Sequence, residues 1–117
     1  MAAQRYYLQV EDFASARGAN PGMSFEGSAG PAFSAALGAA LREPALFQRW
    51  RAQQEDPDSV DASLGAVDPD AKVEVKPART GQGGDVVVTT SLPHAVLSHR
   101  LGLLIGRHWT LRDVKSA

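Results

Sequence analysis

The sequence predicts one α+β domain, residues 1–117, with a βαββαβ ferredoxin-like arrangement in which a kinked first helix and a second helix cover one face of a sheet. The length of 117 residues suits a single core, and 44% of the residues are hydrophobic, as in ordinary globular proteins. Stretches with a two-residue apolar period alternate with stretches of helical period. Helices that cross back to one sheet produce a split βαβ topology. A three-stranded antiparallel sheet with two helices is the alternative.

The first strand is predicted over residues 5–13, where Tyr6, Leu8 and Val10 share one face. The segment that follows, 14–30, contains four glycines and an Asn-Pro-Gly sequence, and it has no apolar period. These residues interrupt regular structure, so the segment is predicted to be a flexible loop. A loop of this length indicates either a functional flap or an additional element that the pattern does not reveal.

The first helix is predicted over residues 31–41, because Phe33, Leu37 and Leu41 are spaced four residues apart. A proline at position 31 suits the first turn of a helix. Pro44 has no amide hydrogen, so we expect the helix to kink there and to restart beyond it.

Residues 55–70 hold six acidic residues and no basic residue, which predicts an acidic linker. Two strands are then predicted over 72–76, which alternates in polarity, and 85–90, which contains three consecutive valines. The glycines of 81–84 lie between them. A glycine-rich turn between two strands predicts a hairpin.

The last helix is predicted to begin with a cap at Thr90 or Ser91 and to end near Gly106. One narrow stripe of this helix is expected to face the core. The stripe consists of Leu97, Leu101, Leu104 and His108. The segment 109–114 alternates again, which indicates a last strand at the edge of the sheet. Without that strand, the three-stranded alternative applies.

Composition excludes several classes of function. The chain has no cysteine, which rules out a disulfide scaffold, a thiolate zinc site and a cysteine nucleophile. No stretch approaches the roughly 20 apolar residues of a membrane span, and the first residues do not resemble a secretory signal, so we expect a cytoplasmic protein without membrane association. The net charge of −1 argues against nucleic acid as a partner. The basic residues near the end are interpreted as a solvated rim: Arg100, Arg107, Arg112 and Lys115.

All three histidines lie between residues 91 and 109. Successive histidines, His94, His99 and His108, are five and nine residues apart, whereas a helical zinc pair uses a spacing of four. The chain also lacks a nucleophile elbow and a phosphate-binding glycine motif. We therefore assign no catalytic residue, no metal ligand and no cofactor.

The far side of the last helix is the most suggestive feature, because it carries Gly102 and Gly106 four residues apart. Each glycine inside a helix costs about 1 kcal/mol relative to alanine, so two of them predict close packing against a second cover. That cover is either the alanine-rich first helix or a second subunit. The candidate ligand or interface residues are His94, His99, Gly102, Leu103, Gly106 and Trp109.

These observations predict a non-enzymatic protein-interaction or adaptor domain that acts as a homodimer or with another protein partner. The alternative is a small ligand-binding domain or enzyme, with a pocket between the 14–30 loop and the sheet that uses His94 and His99. Histidine in such a pocket titrates near neutral pH.

Overall fold

The computed structural model describes residues 3–78 and 82–117. Within these ranges the chain is an α+β structure with a four-stranded antiparallel sheet and three α-helices. The strands are β1 (Gln4–Val10), β2 (Lys72–Pro77), β3 (Gly84–Thr90) and β4 (Thr110–Ser116). The helices are α1 (Gly30–Arg42), α2 (Ala45–Ala52) and α3 (His94–Ile105). Two short 3-10 segments, Pro57–Ser59 and Ala62–Gly65, lie between α2 and β2.

The strand order in the sheet is β2-β3-β1-β4, and every neighbouring pair is antiparallel. β4 pairs with β1 from Gln4 opposite Ser116 to Gln9 opposite Thr110. The three-stranded alternative is therefore wrong, because the last segment is a strand of the sheet. In the predicted hairpin, β2 and β3 are joined by a connection of which residues 79–81 lie outside the described ranges, including the first glycine of the predicted turn.

One face of the sheet carries the core. Tyr6, Leu8 and Val10 are each at most 2% exposed, which confirms that they share a buried face. Val86 and Val88 of β3 point to the same side, since they lie opposite Leu8 and Tyr6. These side chains form one apolar cluster with residues of α1 and α3. The helices therefore lie on one face of the sheet.

The predicted kinked helix consists of two separate helices. α1 buries Phe33, Leu37 and Leu41 completely, as their spacing predicted. Glu43 then has an extended backbone, with φ −126° and ψ 147°. A proline disfavours the helical conformation of the residue before it, and Pro44 is that proline. α2 begins at Ala45, directly after this proline.

The predicted core stripe of α3 is correct for three of its four residues. Leu97, Leu101 and Leu104 are buried, but His108 is exposed. The expectation for His108 was wrong because α3 ends at Ile105 and does not continue with the same period. Gly106 has a φ of 62°, a conformation that glycine adopts without strain and that ends the helix.

Arg100 also departs from the expected solvated rim, because it is 0% exposed. Its guanidinium donates hydrogen bonds to the backbone carbonyls of Leu64 and Ala66, the second at 3.0 Å, and its charge lies 5.3 Å from the centre of the Phe47 ring. A buried charge is tolerated when it is hydrogen-bonded. Arg100 therefore holds the acidic segment, residues 55–70, against α3.

The same segment has a second anchor two residues beyond Ala66, at Asp68. The carboxylate of Asp68 accepts hydrogen bonds from the Thr90 hydroxyl at 2.7 Å and from the Ser91 amide at 3.1 Å. The hydrogen bond from Thr90 is the main reason why the pKa of Asp68 is lowered from its ordinary value. The segment predicted as a linker thus contains two short 3-10 turns. It is attached to the rest of the domain through two of its backbone carbonyls and through the Asp68 side chain.

Replacing Arg100 with leucine is expected to lower the free energy of unfolding by about 2 kcal/mol, because two carbonyls lose a charged donor. Arg107→Leu is the matched control, since Arg107 is exposed just beyond the same helix, and it should change stability by less than about 0.5 kcal/mol. Urea unfolding of the two variants gives the comparison. Equal stability of both would contradict a structural role for the Arg100 hydrogen bonds.

Candidate functional site

The sequence-predicted candidates lie along α3 and the turn that follows it, but they do not form one site. His94 is exposed at the first turn of α3, and its ring nitrogens are 3.3 and 3.5 Å from the Ser98 hydroxyl. His99 is partly buried one and a half turns later and faces α2. The two histidines therefore have different surroundings, and neither has a carboxylate as a hydrogen-bond partner in the described part of the chain.

His99 packs against two aromatic side chains of α2. Its ring centre is 4.3 Å from that of Trp50 and 6.0 Å from that of Phe47, with both rings edge-on to it. Neither ring nitrogen has a hydrogen-bond partner among the residues that the structure describes, although both are buried. Burial lowers the pKa of His99, and the charge of the neighbouring Arg100 acts in the same direction. His99 is therefore a neutral packing residue between α3 and α2 at neutral pH.

α3 packs against α1, one of the two covers that the sequence suggested, and its far side is also contacted by α2 at His99 and by the loop at Leu103 and Leu104. The loop crosses the end of α3, where the Phe25 amide donates a 2.7 Å hydrogen bond to the Leu104 carbonyl. Gly18 lies so close to the carbonyl of Leu103 that an added Cβ would collide with it. The Leu103 side chain is half-buried beside the core.

The two candidate glycines of α3 have different roles. A Cβ added to Gly102 would meet no atom of the described residues within 4 Å, so close packing in this part of the chain does not explain the glycine. A Cβ added to Gly106 would lie 3.0 Å from the Arg17 carbonyl oxygen, and its φ of 62° is unfavourable for other residues. The Trp109 indole N–H donates to the Gly106 carbonyl at 3.2 Å. Gly106 therefore directs the chain from α3 into β4.

A groove of about 430 Å³ lies beside the loop, but its position differs from the predicted pocket. It is lined by Met23 and Phe25 of the loop and by alanines of α1, together with Leu46 and Arg49 of α2. Neither His94 nor His99 lines it. The expected pocket against the sheet is thus corrected to a groove against the helices, because the loop folds over the helical layer.

A smaller, polar cleft of about 270 Å³ lies where β1 ends and β4 begins. It is lined by Glu11, Asp12, Arg107, His108 and Trp109, among others. Within residues 3–78 and 82–117, no group of three or more histidine, cysteine or acidic side chains is placed to hold a metal ion. Over the same residues, no helix combines the length and apolar character needed to cross a bilayer.

The helices leave the edge strand β4 uncovered. All seven of its residues are exposed. Leu111 and Val114 are 36% and 39% exposed, and within the described ranges Val67 is the only other large apolar residue with comparable exposure. The helices bury the inner residues of β3 and β1 but do not reach β4. The free backbone edge of β4 and its two apolar side chains, here named the β4 surface, are thus open together.

The opposite edge of the sheet, β2, is protected against pairing with another strand. Its sequence, Lys-Val-Glu-Val-Lys-Pro, ends in a proline, which has no amide hydrogen to donate. Two copies of β2 paired around Glu74 would place like charges opposite each other, Glu74 against Glu74 and Lys72 against Lys76. Edge strands are commonly protected by proline and lysine. The two edges of the sheet therefore differ in their capacity to pair.

The chain matches no known protein family, no curated protein and no solved structure in the three comparisons that were made. The functional argument therefore depends on the geometry of this chain alone. Sequence reasoning placed Trp109 among the interface candidates and predicted an edge strand, but it did not identify Leu111 and Val114. The exposure of those two residues depends on where the helix layer ends.

Alanine substitutions at Gly102 and Gly106 are expected to change stability in opposite directions. Gly102→Ala should raise the free energy of unfolding by about 0.5 to 1 kcal/mol, because alanine favours the helix and its Cβ enters open space. Gly106→Ala should lower it by about 1 to 3 kcal/mol, because alanine is strained at positive φ. Chemical denaturation measures both. Destabilisation by Gly102→Ala would show that this glycine has a packing role.

The lowered pKa of His99 predicts a pH dependence of stability. A histidine whose pKa is lower in the folded protein than in the unfolded chain contributes full stability above the unfolded value of about 6.5. That contribution is lost as the pH falls below about 6.5, because the unfolded chain takes up the proton first. We expect His99→Leu to reduce the slope of unfolding free energy against pH between about 7 and 5.

His94→Leu is the control, since it removes an imidazole from the exposed end of the same helix. Denaturation curves recorded across this pH range provide the measurement. If the His99→Leu variant keeps the slope of the unmodified chain, the burial of His99 does not control the acid sensitivity of the fold.

Proposed function

We propose that this chain is a non-enzymatic protein-interaction domain that acts as a homodimer, with the β4 surface as its interface. One observation carries the proposal: β4 is exposed along its full length, and Leu111 and Val114 are uncovered beside a free backbone edge. An unpaired edge presents a row of hydrogen-bond donors and acceptors that another strand can use. Exposed apolar side chains next to such an edge add a hydrophobic contribution to pairing.

The charges on β4 favour a second copy of the same strand as the occupant. Arg112 and Lys115 are positive and Asp113 is negative, and all three are exposed. A second β4 therefore supplies a partner of opposite sign for the central charges. The β2 edge has no such self-complementarity around its centre. An isologous two-fold dimer is also the most common form of assembly among soluble proteins.

The finer fold assignment belongs to the same proposal. The order β2-β3-β1-β4, with helices on one face, supports a ferredoxin-like βαββαβ sandwich with an interrupted first helix. In such an arrangement β4 is an edge strand, so its availability for pairing is a consequence of the topology. The cytoplasmic location stays a prediction from the sequence.

Binding of a small apolar molecule is the second candidate function. The groove of about 430 Å³ beside the loop favours it, because ligand sites commonly have volumes of roughly 300 to 1,000 Å³. Its alanine floor and its wall of Met23 and Phe25 suit an apolar ligand. The homodimer remains the first proposal, since none of the described residues that line the groove is a buried polar residue that would orient a ligand for chemistry.

Val114→Lys and Leu111→Lys are expected to weaken the dimer. Each substitution removes an apolar contact twice per dimer and places two cations in the interface, so the dissociation constant should rise about tenfold or more. Size-exclusion chromatography with light scattering, over a range of protein concentrations, gives the mass. The unmodified chain should approach twice its 12.4 kDa.

Val67→Lys is the matched control, because Val67 is 37% exposed but lies in the acidic segment and not on β4. It should leave the dimer intact. A monomeric unmodified chain at every concentration, or a loss of dimer in Val67→Lys as large as in Val114→Lys, would overturn the proposed function.

A further inference from the structure

We infer the register of the interface: two β4 strands pair antiparallel around a two-fold axis that passes between Arg112 and Asp113. This inference depends on the proposed homodimer and adds which residues oppose each other within it. The argument uses the direction in which each β4 side chain points. In an antiparallel pair, directly opposed residues lie on the same face of the sheet.

The pairing of β4 with β1 gives the direction of its two apolar residues. Leu111 lies opposite Leu8, and Val114 lies opposite Tyr6. Leu8 and Tyr6 are buried on the helix side of the sheet. Leu111 and Val114 therefore both point to the helix side, although they are three residues apart. A regular strand would place such residues on opposite faces.

A β-bulge at Arg112 produces this arrangement. The register of β4 against β1 shifts there, since Asp113 lies opposite Tyr7 while Leu111 lies opposite Leu8. Arg112 is the additional residue, and its guanidinium donates to the Gln9 side chain at 3.2 Å on the outer face. Asp113 points outward like Tyr7. Two successive residues, Arg112 and Asp113, thus point to the same face.

The remaining residues complete a symmetric pattern. Thr110 and Lys115 lie opposite Gln9 and Arg5, which both point outward. The side chains at positions 110, 112, 113 and 115 thus point to the outer face, and those at positions 111 and 114 point to the helix side. This order is the same when it is read from either end. Its midpoint falls between Arg112 and Asp113.

The symmetry of the pattern selects one axis for pairing of the whole strand. With the axis between Arg112 and Asp113, every opposed pair has both members on one face. With the axis on Asp113, outer Arg112 would oppose helix-side Val114. With the axis on Arg112, helix-side Leu111 would oppose outer Asp113. Either alternative would need a second distortion of the strand, so the bulge specifies the register.

The chemistry of the opposed residues agrees with this register. Arg112 lies opposite Asp113 of the second copy, and this pair of unlike charges occurs twice around the axis. Leu111 lies opposite Val114 of the second copy, also twice. Cross-strand pairs of unlike charge and of apolar side chains both stabilise antiparallel sheets. With the axis on Asp113, the two Asp113 carboxylates would instead repel each other.

The dimer would then contain a continuous eight-stranded sheet. A two-fold axis perpendicular to the sheet keeps the helix layers of both copies on the same face. The four apolar side chains, Leu111 and Val114 from each copy, meet on that face. Bulges and charged residues protect most edge strands from unselective pairing. In β4 the bulge and the charged residues also permit one specific pairing, with β4 of a second copy.

Thiol cross-linking tests the register, and the chain offers a clean background because it has no cysteine. Thr110 lies opposite Lys115 of the second copy in the proposed register. A mixture of Thr110→Cys and Lys115→Cys chains, treated with a short thiol-specific cross-linker, should give a covalent dimer. Each variant alone should not, because identical positions are about 17 Å apart along the paired strands. With the axis on Asp113, Thr110 would instead lie opposite Ser116 of the second copy, so a covalent dimer from a mixture of Thr110→Cys and Ser116→Cys chains would indicate that register.

Charge exchange gives an independent test. Arg112→Asp places two pairs of acidic residues opposite each other, and Asp113→Arg places two pairs of arginines opposite each other. Each single variant should raise the dissociation constant of the dimer about tenfold. The double variant, Arg112→Asp with Asp113→Arg, restores unlike pairs and should bind within about threefold of the unmodified chain.

The outcomes separate the register from the proposed function. An unmodified chain that stays monomeric overturns both. A dimer that Val114→Lys disrupts, but that cross-links through Thr110→Cys and Ser116→Cys, overturns the register alone. A double charge variant as weak as the single variants also overturns the register. Cross-linking of Thr110→Cys with Lys115→Cys, together with recovery in the double variant, supports it.

Discussion

The turn at Gly106 determines where the helix layer ends and where the exposed strand β4 begins. Its backbone, at φ 62°, ends α3 and sends the chain into β4. The Arg17 carbonyl of the loop approaches the same residue so closely that a side chain would crowd it, and the Trp109 indole bonds to its carbonyl. One residue without a side chain thus joins the loop, the last helix and the last strand.

The buried polar groups attach the rest of the chain to this frame. Arg100 and Asp68 fix two neighbouring points of an acidic segment that has few apolar residues of its own. Phe47 is packed under the Arg100 charge and against His99. Because buried charges need hydrogen-bond partners, these contacts specify one position for the segment. The other acidic residues of the segment face water, and its backbone supplies the carbonyls that accept hydrogen bonds from Arg100.

The two edges of the sheet show how a fold leaves one surface available. At β2, a proline and two lysines oppose the addition of a strand. At β4, the helix layer ends too early to cover Leu111 and Val114, and the bulge at Arg112 turns both toward the same side. The two edges therefore differ in three respects: the backbone amides that are available, the order of charged residues along the strand, and the face to which the apolar side chains point.

Local periodicity by itself determined the α+β class and the faces of its main elements. The alternation of Tyr6, Leu8 and Val10 and the four-residue spacing of Phe33, Leu37 and Leu41 depend on neighbours in the chain, and both led to correct predictions of burial.

The tertiary structure alone decided the fates of His108, Arg100, His99 and the β4 residues. Helical period does not reveal that a glycine will end α3 before His108, or that distant carbonyls will bury Arg100. It also does not reveal that α2 will enclose His99. The uncovered state of Leu111 and Val114 depends on where other elements stop. Such properties arise from contacts between residues far apart in sequence, which a local pattern does not contain.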